Sequence, residues 1–383
     1  MKSLTTDTKH AMSLSAVGLP QAALDTPAYC IDLELMESNL AAMAAHMRER
    51  QKDWRPHAKC HKTPAIAHKQ LTAGAIGVTV AKVGEAEVYA AAGIRDILIA
   101  NMLFGEPKFE RVAALCRRAD PIVACDHFAQ AEGLAATCRR RGVTCRMVIE
   151  VDIGLNRVGI RPGPDFLNLA RGISKLEGVQ LAGIMGYEGH LLRVENVEEK
   201  RQKIDAAMAL LVEQRDQMVS EGLNCEIVSA GGTGSYQYSA DCPGITEMQA
   251  GGGIFADPYY IEEMGLKDLQ SSLRVLATVV SRPTLERGVT DTGRKTINPD
   301  LMMPLARGRV TGRPLTDAVF TGLSAEHGVL KLGPDSQDLQ IGDKIEIIPG
   351  YTDFTTVLHE EFYGIRNGVV ETVWPIAARG KLQ

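Results

Sequence analysis

The sequence has few of the features that mark membrane, secreted or nucleic-acid-binding proteins. No apolar run approaches the roughly 20 residues that a membrane-spanning helix needs. Residues 1–14, MKSLTTDTKHAMSL, lack the apolar core of a secretory signal peptide. The net charge of −5 leaves no excess of positive charge to favour a nucleic acid or an anionic membrane surface. These absences predict a cytoplasmic protein of a prokaryote-like cell.

The cysteines show no regular spacing. There are eight of them in 383 residues, and no two form a CxxC pair. This scatter indicates neither a zinc ribbon nor a disulfide framework. We expect most of them to be buried thiols that pack as small apolar side chains. Cys60 is the exception, because its neighbours in the chain are charged or titratable.

Short apolar runs alternate with helix-like stretches between about residues 27 and 258. The predicted strands cover residues 28–32, 54–58, 76–81, 96–100, 121–125, 146–151, 181–186, 226–230 and 245–250. Repeated strand–helix alternation of this kind is typical of a (β/α)₈ barrel of the TIM type, an α/β fold. A doubly wound open sheet is the alternative. No GxGxxG follows the first strand, which disfavours the dinucleotide-binding form of that alternative.

The pattern changes after about residue 265. From there the chain consists of predicted β-strands broken by Gly, Pro and Asn, from LRVLATVVSRPTL to EFYGIRNGVVETVWPI, with no helical run between them. A chain of this length has room for a barrel and a smaller domain. We therefore predict a barrel over residues 27–262 and an all-β domain formed by residues 1–26 and 263–383.

Polar residues and glycines follow the predicted barrel strands, at the end where barrel enzymes place their active sites. The side chains are His57, Lys59, Cys60, Lys82, Asn101, Asp126, Asp152, Asn156, Arg157, Tyr187 and His190. GGTGSY (231–236) and AGGGIF (250–255) follow the last two strands. Glycine lets backbone N–H groups approach an anion, so these two loops are candidates for a phosphate site. Tight turns between strand and helix are the alternative.

The segment RPHAKCHKTP (55–64) is dense in titratable side chains. Side chains alternate along a strand, so Arg55, His57 and Lys59 are predicted to share one face. Lys59 would come last and lie at the barrel mouth, where partial desolvation favours the free, nucleophilic amine. Lys62 lies beyond the strand and is predicted to be a solvated flank. The TP at 63–64 predicts the start of the next helix.

A lysine at the barrel mouth and a phosphate site in the same barrel suggest pyridoxal 5'-phosphate, a phosphorylated carbonyl compound that lysine holds as a Schiff base. An ion pair between Lys59 and an acid such as Asp152 is the alternative for this lysine.

RPHAKCHK resembles the RPHxKTHK motif of the family of D-threonine aldolases and eukaryotic-type D-serine dehydratases. These are alanine-racemase-like, fold type III pyridoxal phosphate enzymes. Further similar stretches are TPAYCIDLELMESNL, GVTVAKVGEAEVYAAAGIRDILIAN, EVDIGLNRVGI, MGYEGH, GGTGSY, ATVVSRP, EHGVL and VWPIAARGKL. The resemblance covers nearly the whole chain.

The resemblance implies roles for particular residues. Lys59 would be the Schiff-base lysine, with His57 beneath or beside the cofactor and Arg157 and Tyr187 near its pyridine ring. The phosphate would be held by Gly232, Thr233, Gly234, Gly252 and Gly253. The resemblance also implies a homodimer whose active sites lie where the β domain of one subunit meets the barrel of the other.

Three positions depart from the family pattern. Ala81 stands where a glutamine is common, and Cys60 replaces the threonine of RPHxKTHK. Tyr351 stands where metal-bearing members have a histidine, while Asp353 keeps the acid. Asp353 alone is a poor zinc site, although it would suit a largely hydrated Mg²⁺ or Mn²⁺. His359 is expected to pack within the fold, with metal binding as the alternative.

The resemblance implies a small-molecule substrate, a D-3-hydroxy amino acid. The first expectation is retro-aldol cleavage to glycine and an aldehyde, with a base that takes the β-hydroxyl proton. The candidates for this base are His190, His61 and Tyr351, with His190 first. The alternatives are a dehydratase of the D-serine or 3-hydroxyaspartate type, which releases a 2-oxo acid and ammonia, a racemase-like activity, and a non-catalytic pyridoxal phosphate-binding protein.

Overall fold

The structure, a computed structural model, describes residues 15–383. The stretch that lacks a signal-peptide core (1–14), which is also the start of the predicted all-β domain, lies outside the described residues. The described strands are β1 Ala28–Asp32, β2 Asp53–Trp54, β3 Val78–Val80, β4 Asp96–Ile99, β5 Asp120–Cys125, β6 Cys145–Glu150, β7 Val179–Met185, β8 Ile227–Ala230, β9 Glu247–Met248, β10 Leu273–Thr284, β11 Arg287–Thr290, β12 Leu305–Arg309, β13 Ala318–Leu323, β14 Gly328–Leu332, β15 Lys344–Ile348, β16 Glu361–Arg366 and β17 Val369–Pro375. The described α-helices are α1 Leu33–Glu49, α2 Pro64–Thr72, α3 Val83–Ala91, α4 Glu106–Leu115, α5 Phe128–Arg141, α6 Pro164–Ile173, α7 Val197–Ser220, α8 Tyr236–Ser239 and α9 Thr352–Thr356.

Strands β2 to β9 form one parallel sheet in the order β2-β9-β8-β7-β6-β5-β4-β3. A bridge between His57 and Thr79 joins the segment after β2 to β3, and Thr79 N–H donates to the Pro56 carbonyl at 2.9 Å. The two edges of the sheet therefore meet, which closes the barrel. The prediction of a parallel barrel, rather than an open sheet, is confirmed.

The barrel strands are apolar because they are covered on both faces. Residues from neighbouring strands form one buried cluster: Leu98, Ile122, Ala124, Val148, Ala182 and Met185. At Gly183, in β7, a Cβ would come within 1.9 Å of the carbonyl oxygen of Ile227, so only glycine allows β7 and β8 to approach this closely. Among residues 15–383 no helix is both long and apolar enough to cross a bilayer.

The chain divides into two compact units. One comprises Ala41–Gly252 with Ala378–Gln383, and the other comprises the chain up to Leu40 with Gly253–Ala377. The first unit contains the barrel, which is called the barrel unit below. The second contains β1 and β10 to β17 and is called the β-strand unit. The last residues of the chain, predicted to belong to the all-β domain, therefore fall within the barrel unit.

The β-strand unit is built on a nine-stranded sheet with the path β13-β14-β11-β10-β1-β16-β17, to which β15 and β12 attach through β10. The strands predicted after residue 265 are present, but the short helix α9 was not predicted. The strand at 28–32 was predicted as part of the barrel, and that placement is wrong. It pairs antiparallel with β10 and parallel with β16. Because β1 lies between two strands and is almost entirely buried, its composition is that of a barrel strand.

Candidate active site

The segment that carries Lys59 leaves the extended conformation before it reaches that residue. Ala58–Cys60 form a 3₁₀ turn, so the alternation of side chains does not extend to Lys59. Arg55, which was predicted to share one face with His57 and Lys59, has charged partners of its own. Its guanidinium is buried and pairs with Glu247 at 2.9 Å and Asp96 at 2.7 Å. Arg55 therefore ties the segment after β2 to β9 and β4.

His57 and Lys59 are both half-buried and adjacent within this turn. The Lys59 N–H donates to His57 Nδ1 at 3.3 Å. An accepting Nδ1 carries no proton, so the neutral imidazole has its proton on Nε2. Burial, followed by the positive charge of Lys59, holds the pKa of His57 well below its usual range. A neutral histidine therefore accompanies Lys59.

Lys62 is not the solvated flank that the sequence predicts. Its ammonium forms an ion pair with Glu85, and the two side chains are only 12% and 2% exposed. The other oxygen of Glu85 accepts the backbone N–H groups of Ala81 and Lys82, at 2.8 and 3.0 Å. Glu85 was missed as a site residue. The sequence did contain a signal for it. Glu85 is the first acid in VGEAEV and lies three residues after Lys82, which follows the end of β3.

His61 and Cys60 point into the protein. His61 is fully buried, its Nδ1 accepts the Thr63 N–H at 3.0 Å, and its Nε2 lies 3.3 Å from Gln70 Oε1. Burial lowers the pKa of His61 to about 3. Since both ring nitrogens have partners and no substrate can reach them, this position does not fit the base that the sequence suggested. Cys60 is buried, with its thiol 3.5 Å from the Gly251 carbonyl oxygen.

Thr63 begins helix α2 together with Pro64, as predicted. Its hydroxyl does not cap the helix, however, and donates instead to the His61 carbonyl at 2.8 Å.

The two glycine loops follow β8 and β9. A Cβ on Gly232 would come within 2.8 Å of Tyr187 Cε2, so glycine lets the tyrosine ring pack directly on the loop backbone. Thr233 Oγ1 accepts the Gly252 N–H at 2.9 Å, which joins the two loops. Gly234 lies in the first loop. Gly253 directly follows Gly252 in the chain and is the first residue of the second segment of the β-strand unit. The barrel unit thus contains a joined pair of glycine-rich turns, of which Gly232 is partly exposed beside Tyr187.

Arg157 lies over the ring of Tyr187, with 5.6 Å between the guanidinium carbon and the ring centroid. Its Nη2 is 3.8 Å from Glu150 Oε1. Glu150 is the last residue of β6 and is buried, and its burial raises the pKa of the carboxyl to about 7. Glu150 was also missed, although a lone acid at the end of the apolar run RMVIEV was a visible signal.

His190 is exposed and lies against the loop that follows β6. A Cβ on Gly154 would come within 2.8 Å of His190 Nε2. Asp152 holds this loop, because its Oδ1 accepts the N–H groups of Gly154 and Asn156, each at 3.0 Å. His190 is therefore a solvent-accessible histidine beside an ordered loop of the barrel unit.

In the β-strand unit, Tyr351 and Asp353 are buried and bonded to each other. The Tyr351 hydroxyl donates to Asp353 Oδ2 at 3.0 Å, and burial raises the pKa of the tyrosine. Within residues 15–383, no three His, Cys, Asp or Glu side chains form a group that can hold a metal ion. A neutral phenol and one carboxylate do not fit a divalent cation site, which needs several oxygen ligands. His359 stacks on Tyr29 with 4.3 Å between the ring centroids, which agrees with the packing role expected for it.

Two protein-family models match the chain. "Alanine racemase, N-terminal domain" matches residues 31–257, and "Putative serine dehydratase domain" matches residues 272–365. A D-threonine aldolase of Arthrobacter sp. is 34% identical over 95% of this chain and 95% of its own length. A 3-hydroxy-D-aspartate aldolase of Paracoccus denitrificans (strain Pd 1222) is 31% identical over 95% of this chain and 94% of its own.

The solved structures agree with these matches. The crystal structure of D-threonine aldolase from Filomicrobium marinum superposes with a TM-score of 0.91 at 34% identity, covering 96% of this chain and 99% of that one. Both units of this chain thus have their counterparts in one relative. The chain belongs to the family of alanine-racemase-like pyridoxal phosphate lyases that contains the D-threonine aldolases and the D-serine dehydratases.

Proposed function

We propose that the protein is a pyridoxal phosphate-dependent D-3-hydroxy amino acid aldolase, which cleaves its substrate to glycine and an aldehyde. The observation that carries this proposal is the setting of Lys59. This lysine is half-buried in a turn beside a neutral histidine, in a chain that matches a D-threonine aldolase over 95% of both lengths.

The barrel unit fits the cofactor. Lys59 is the amine that would hold its carbonyl group, and the joined loops at Gly232, Thr233, Gly234 and Gly252, with Gly253 next in the chain, are where its phosphate would bind. The glycines carry no side chain that would keep an anion away from the loop backbone, which is why these loops suit a phosphate. Arg157 and Tyr187 form a cation–ring pair suited to lie beside the pyridine ring. When bound, pyridoxal phosphate supplies an electron sink that stabilises negative charge at the substrate's Cα.

The protein's own residues supply the remaining steps. His57 stays neutral next to Lys59 and so adds no positive charge there. His190 is our candidate for the base that takes the proton from the substrate's β-hydroxyl as the Cα–Cβ bond breaks. Its exposure allows a substrate to reach it, and the neighbouring loop, held by Asp152, limits where its ring can lie. Loss of that proton turns the Cβ hydroxyl into the carbonyl of the aldehyde, and protonation at Cα completes glycine.

We propose this reaction without a divalent cation at Asp353. Among residues 15–383, no set of ligands around Asp353 fits the Mg²⁺ or Mn²⁺ considered for that residue, so the reaction is proposed without it. The homodimer and the cytoplasmic location predicted from the sequence are part of the proposal. Light scattering of the purified protein tests the dimer directly.

The proposal is tested by analysing the products of the purified holoenzyme. D-threonine and D-phenylserine should yield acetaldehyde and benzaldehyde, respectively, in amounts equal to the glycine formed. L-threonine is the stereochemical control and should yield neither product. Ammonia and a 2-oxo acid without aldehyde would show the dehydratase instead, an outcome kept open by the match to the serine dehydratase domain. Cofactor binding with no turnover of either kind would show a non-catalytic binding protein.

A further inference from the structure

The turn that carries Lys59 ends in an uncommon backbone conformation. Lys62 has a φ of 51°, in the left-handed region that side-chain-bearing residues rarely adopt. The N–H groups of His61 and Lys62 both donate to the Ala58 carbonyl, at 3.2 and 2.7 Å, so the turn is closed tightly around Lys59 and Cys60. A residue in this conformation persists only when its surroundings hold it there.

Two contacts hold Lys62 from separate parts of the barrel unit. Its ammonium pairs with Glu85, 23 residues further along the chain, and its carbonyl accepts the Ala378 N–H at 3.0 Å. Glu85 is itself immobilised, because it caps the start of α3 by accepting the N–H groups of Ala81 and Lys82. The end of the turn is therefore tied to a rigid helix start and to the C-terminal segment.

This ion pair is buried, and a buried pair is weak evidence for stability, because desolvation of both charges offsets their attraction. Such a pair does specify geometry, since its two charges satisfy each other in only one arrangement. Lys62 lies three residues after Lys59, so the pair holds the chain directly beyond the turn that carries Lys59.

We propose that the Lys62–Glu85 ion pair is a positioning device that fixes the Ala58–Lys62 turn and thereby the direction in which Lys59 presents its amine to the cofactor. Lys62 and Glu85 act through Lys59 and touch neither cofactor nor substrate. The inference rests on the proposed function only in taking Lys59 as the cofactor-binding lysine, and it holds for an aldolase and a dehydratase alike.

The test breaks the pair without removing the cap of α3. Glu85→Gln keeps an oxygen for the N–H groups of Ala81 and Lys82 but loses the charge, and Lys62→Met keeps the length of the side chain without its charge. In each variant we expect kcat to fall by about tenfold or more while KM changes little. We also expect the pH midpoint of the visible absorbance of the lysine-bound cofactor to move. Lys62→Arg restores the charge and should recover most of both properties.

Glu87→Gln is the matched control. Glu87 lies on the same helix and pairs with Arg111 at 2.7 Å, away from the turn, so its loss should leave kcat and the absorbance midpoint unchanged. If a single variant does not fold, Lys62→Met/Glu85→Gln removes both charges, leaves neither buried alone and keeps an oxygen for the cap of α3. That double variant should fold and still show the altered kcat and midpoint.

A merely structural pair would give a different result. Lower thermal stability with unchanged kcat and unchanged absorbance midpoint in Glu85→Gln and Lys62→Met would overturn the positioning role. If the unmodified protein shows no visible absorbance with pyridoxal phosphate, Lys59 is not the cofactor-binding lysine, and the positioning role proposed for the pair is overturned with it. If the product assay shows a dehydratase, the proposed aldolase function is wrong, but the positioning role of the Lys62–Glu85 pair still stands. Failure of the proposed function can therefore be distinguished from failure of this inference.

Discussion

In the barrel unit, the segment 55–64 leaves Lys59 and His57 half-buried at the end of a strand, whereas in the β-strand unit the segment 351–356 forms a short helix with Tyr351 and Asp353 buried against each other. Both segments resemble functional motifs of the family, but only the first retains the residues of its motif that would do chemistry. In the barrel segment the proposed Schiff-base lysine is half-buried, whereas in the other segment the Tyr351 hydroxyl donates to Asp353.

Two buried acids, Glu150 in the barrel unit and Asp257 in the β-strand unit, also differ in how closely their carboxyl groups are hydrogen-bonded. Burial raises the pKa of Glu150 in the barrel unit and of Asp257 in the β-strand unit to about 7 in both cases. Asp257 accepts the N–H and hydroxyl of Thr352, at 2.8 and 2.7 Å. Glu150 has Arg157 at 3.8 Å, too far for a hydrogen bond. A desolvated acid without a close hydrogen bond is more common at functional sites, so Glu150 is the better candidate of the two for a role in the proposed site.

The largest effect is expected at Lys59. Lys59→Ala should lower turnover by about a thousandfold or more and abolish the visible absorbance of the lysine-bound cofactor, because no other amine of the turn is positioned to replace it. Absorbance spectra and kcat measure this. Lys175→Ala, at an exposed lysine of the barrel unit, is the control and should change neither property. A retained absorbance band in Lys59→Ala would contradict the assignment.

The next largest effect should distinguish His190 from His61, the two histidines of the barrel unit that are candidates for the base. His190→Gln removes an accessible base and should lower kcat by about 10²-fold or more with little change in the melting temperature. His61→Gln disturbs a buried histidine with two partners, so we expect a loss of about 1–3 kcal/mol of folding free energy and a nearly normal kcat. Steady-state kinetics and denaturant unfolding measure the two effects. The reverse pattern would assign the base to His61.

The two buried acids should differ in their pH dependence. Because the pKa of Glu150 is raised from 4.5 to about 7 in the folded protein, the folded state binds a proton in that interval that the unfolded state has lost. Its contribution to stability is therefore full below about pH 4.5 and is lost as the pH rises through 7. Glu150→Gln should remove this slope and, at pH 8, stabilise the protein by about 1–3 kcal/mol. Denaturant unfolding between pH 5 and pH 8, expressed relative to the unmodified protein, measures it.

Asp257→Asn is the counterpart in the β-strand unit. An amide cannot accept all the hydrogen bonds that Thr352 and Tyr260 now donate to the carboxylate, so this substitution should destabilise the protein at both ends of the pH range. Equal behaviour of Glu150→Gln and Asp257→Asn would remove the distinction between the two acids.

The smallest effect concerns the metal. Incubation with EDTA should change the activity of the unmodified protein by less than about twofold, because Tyr351 and Asp353 bind each other and offer a cation too few ligands. Tyr351→Phe, which removes the hydroxyl that donates to Asp353, should cost about 1 kcal/mol of stability. Activity before and after chelation, with metal analysis of the same sample, provides the measurement. Loss of activity on chelation and its return with Mn²⁺ would show that this segment does bind a cation.

Much of this protein's architecture could be predicted from patterns in short stretches of its sequence. The alternation of strands and helices predicted the barrel, and the glycine- and proline-broken strands after residue 265 predicted the second unit. The alternation argument singled out Lys59 for a reason that does not apply, since the residue lies in a 3₁₀ turn rather than on the strand. Strand β1 was assigned to the wrong sheet because its burial between two strands gives it the composition of a barrel strand.

By itself, the sequence determined the elements, their order and the identity of the reactive motif, because hydrophobic periodicity and turn residues act over a few neighbouring positions. Only the tertiary structure decided which of the charged and titratable residues of RPHAKCHKTP are accessible. Lys62 is buried by Glu85, 23 residues away, and His61 by α2 and Tyr89. Solvation and partners set the state of a side chain, and both come from segments that meet only when the barrel closes.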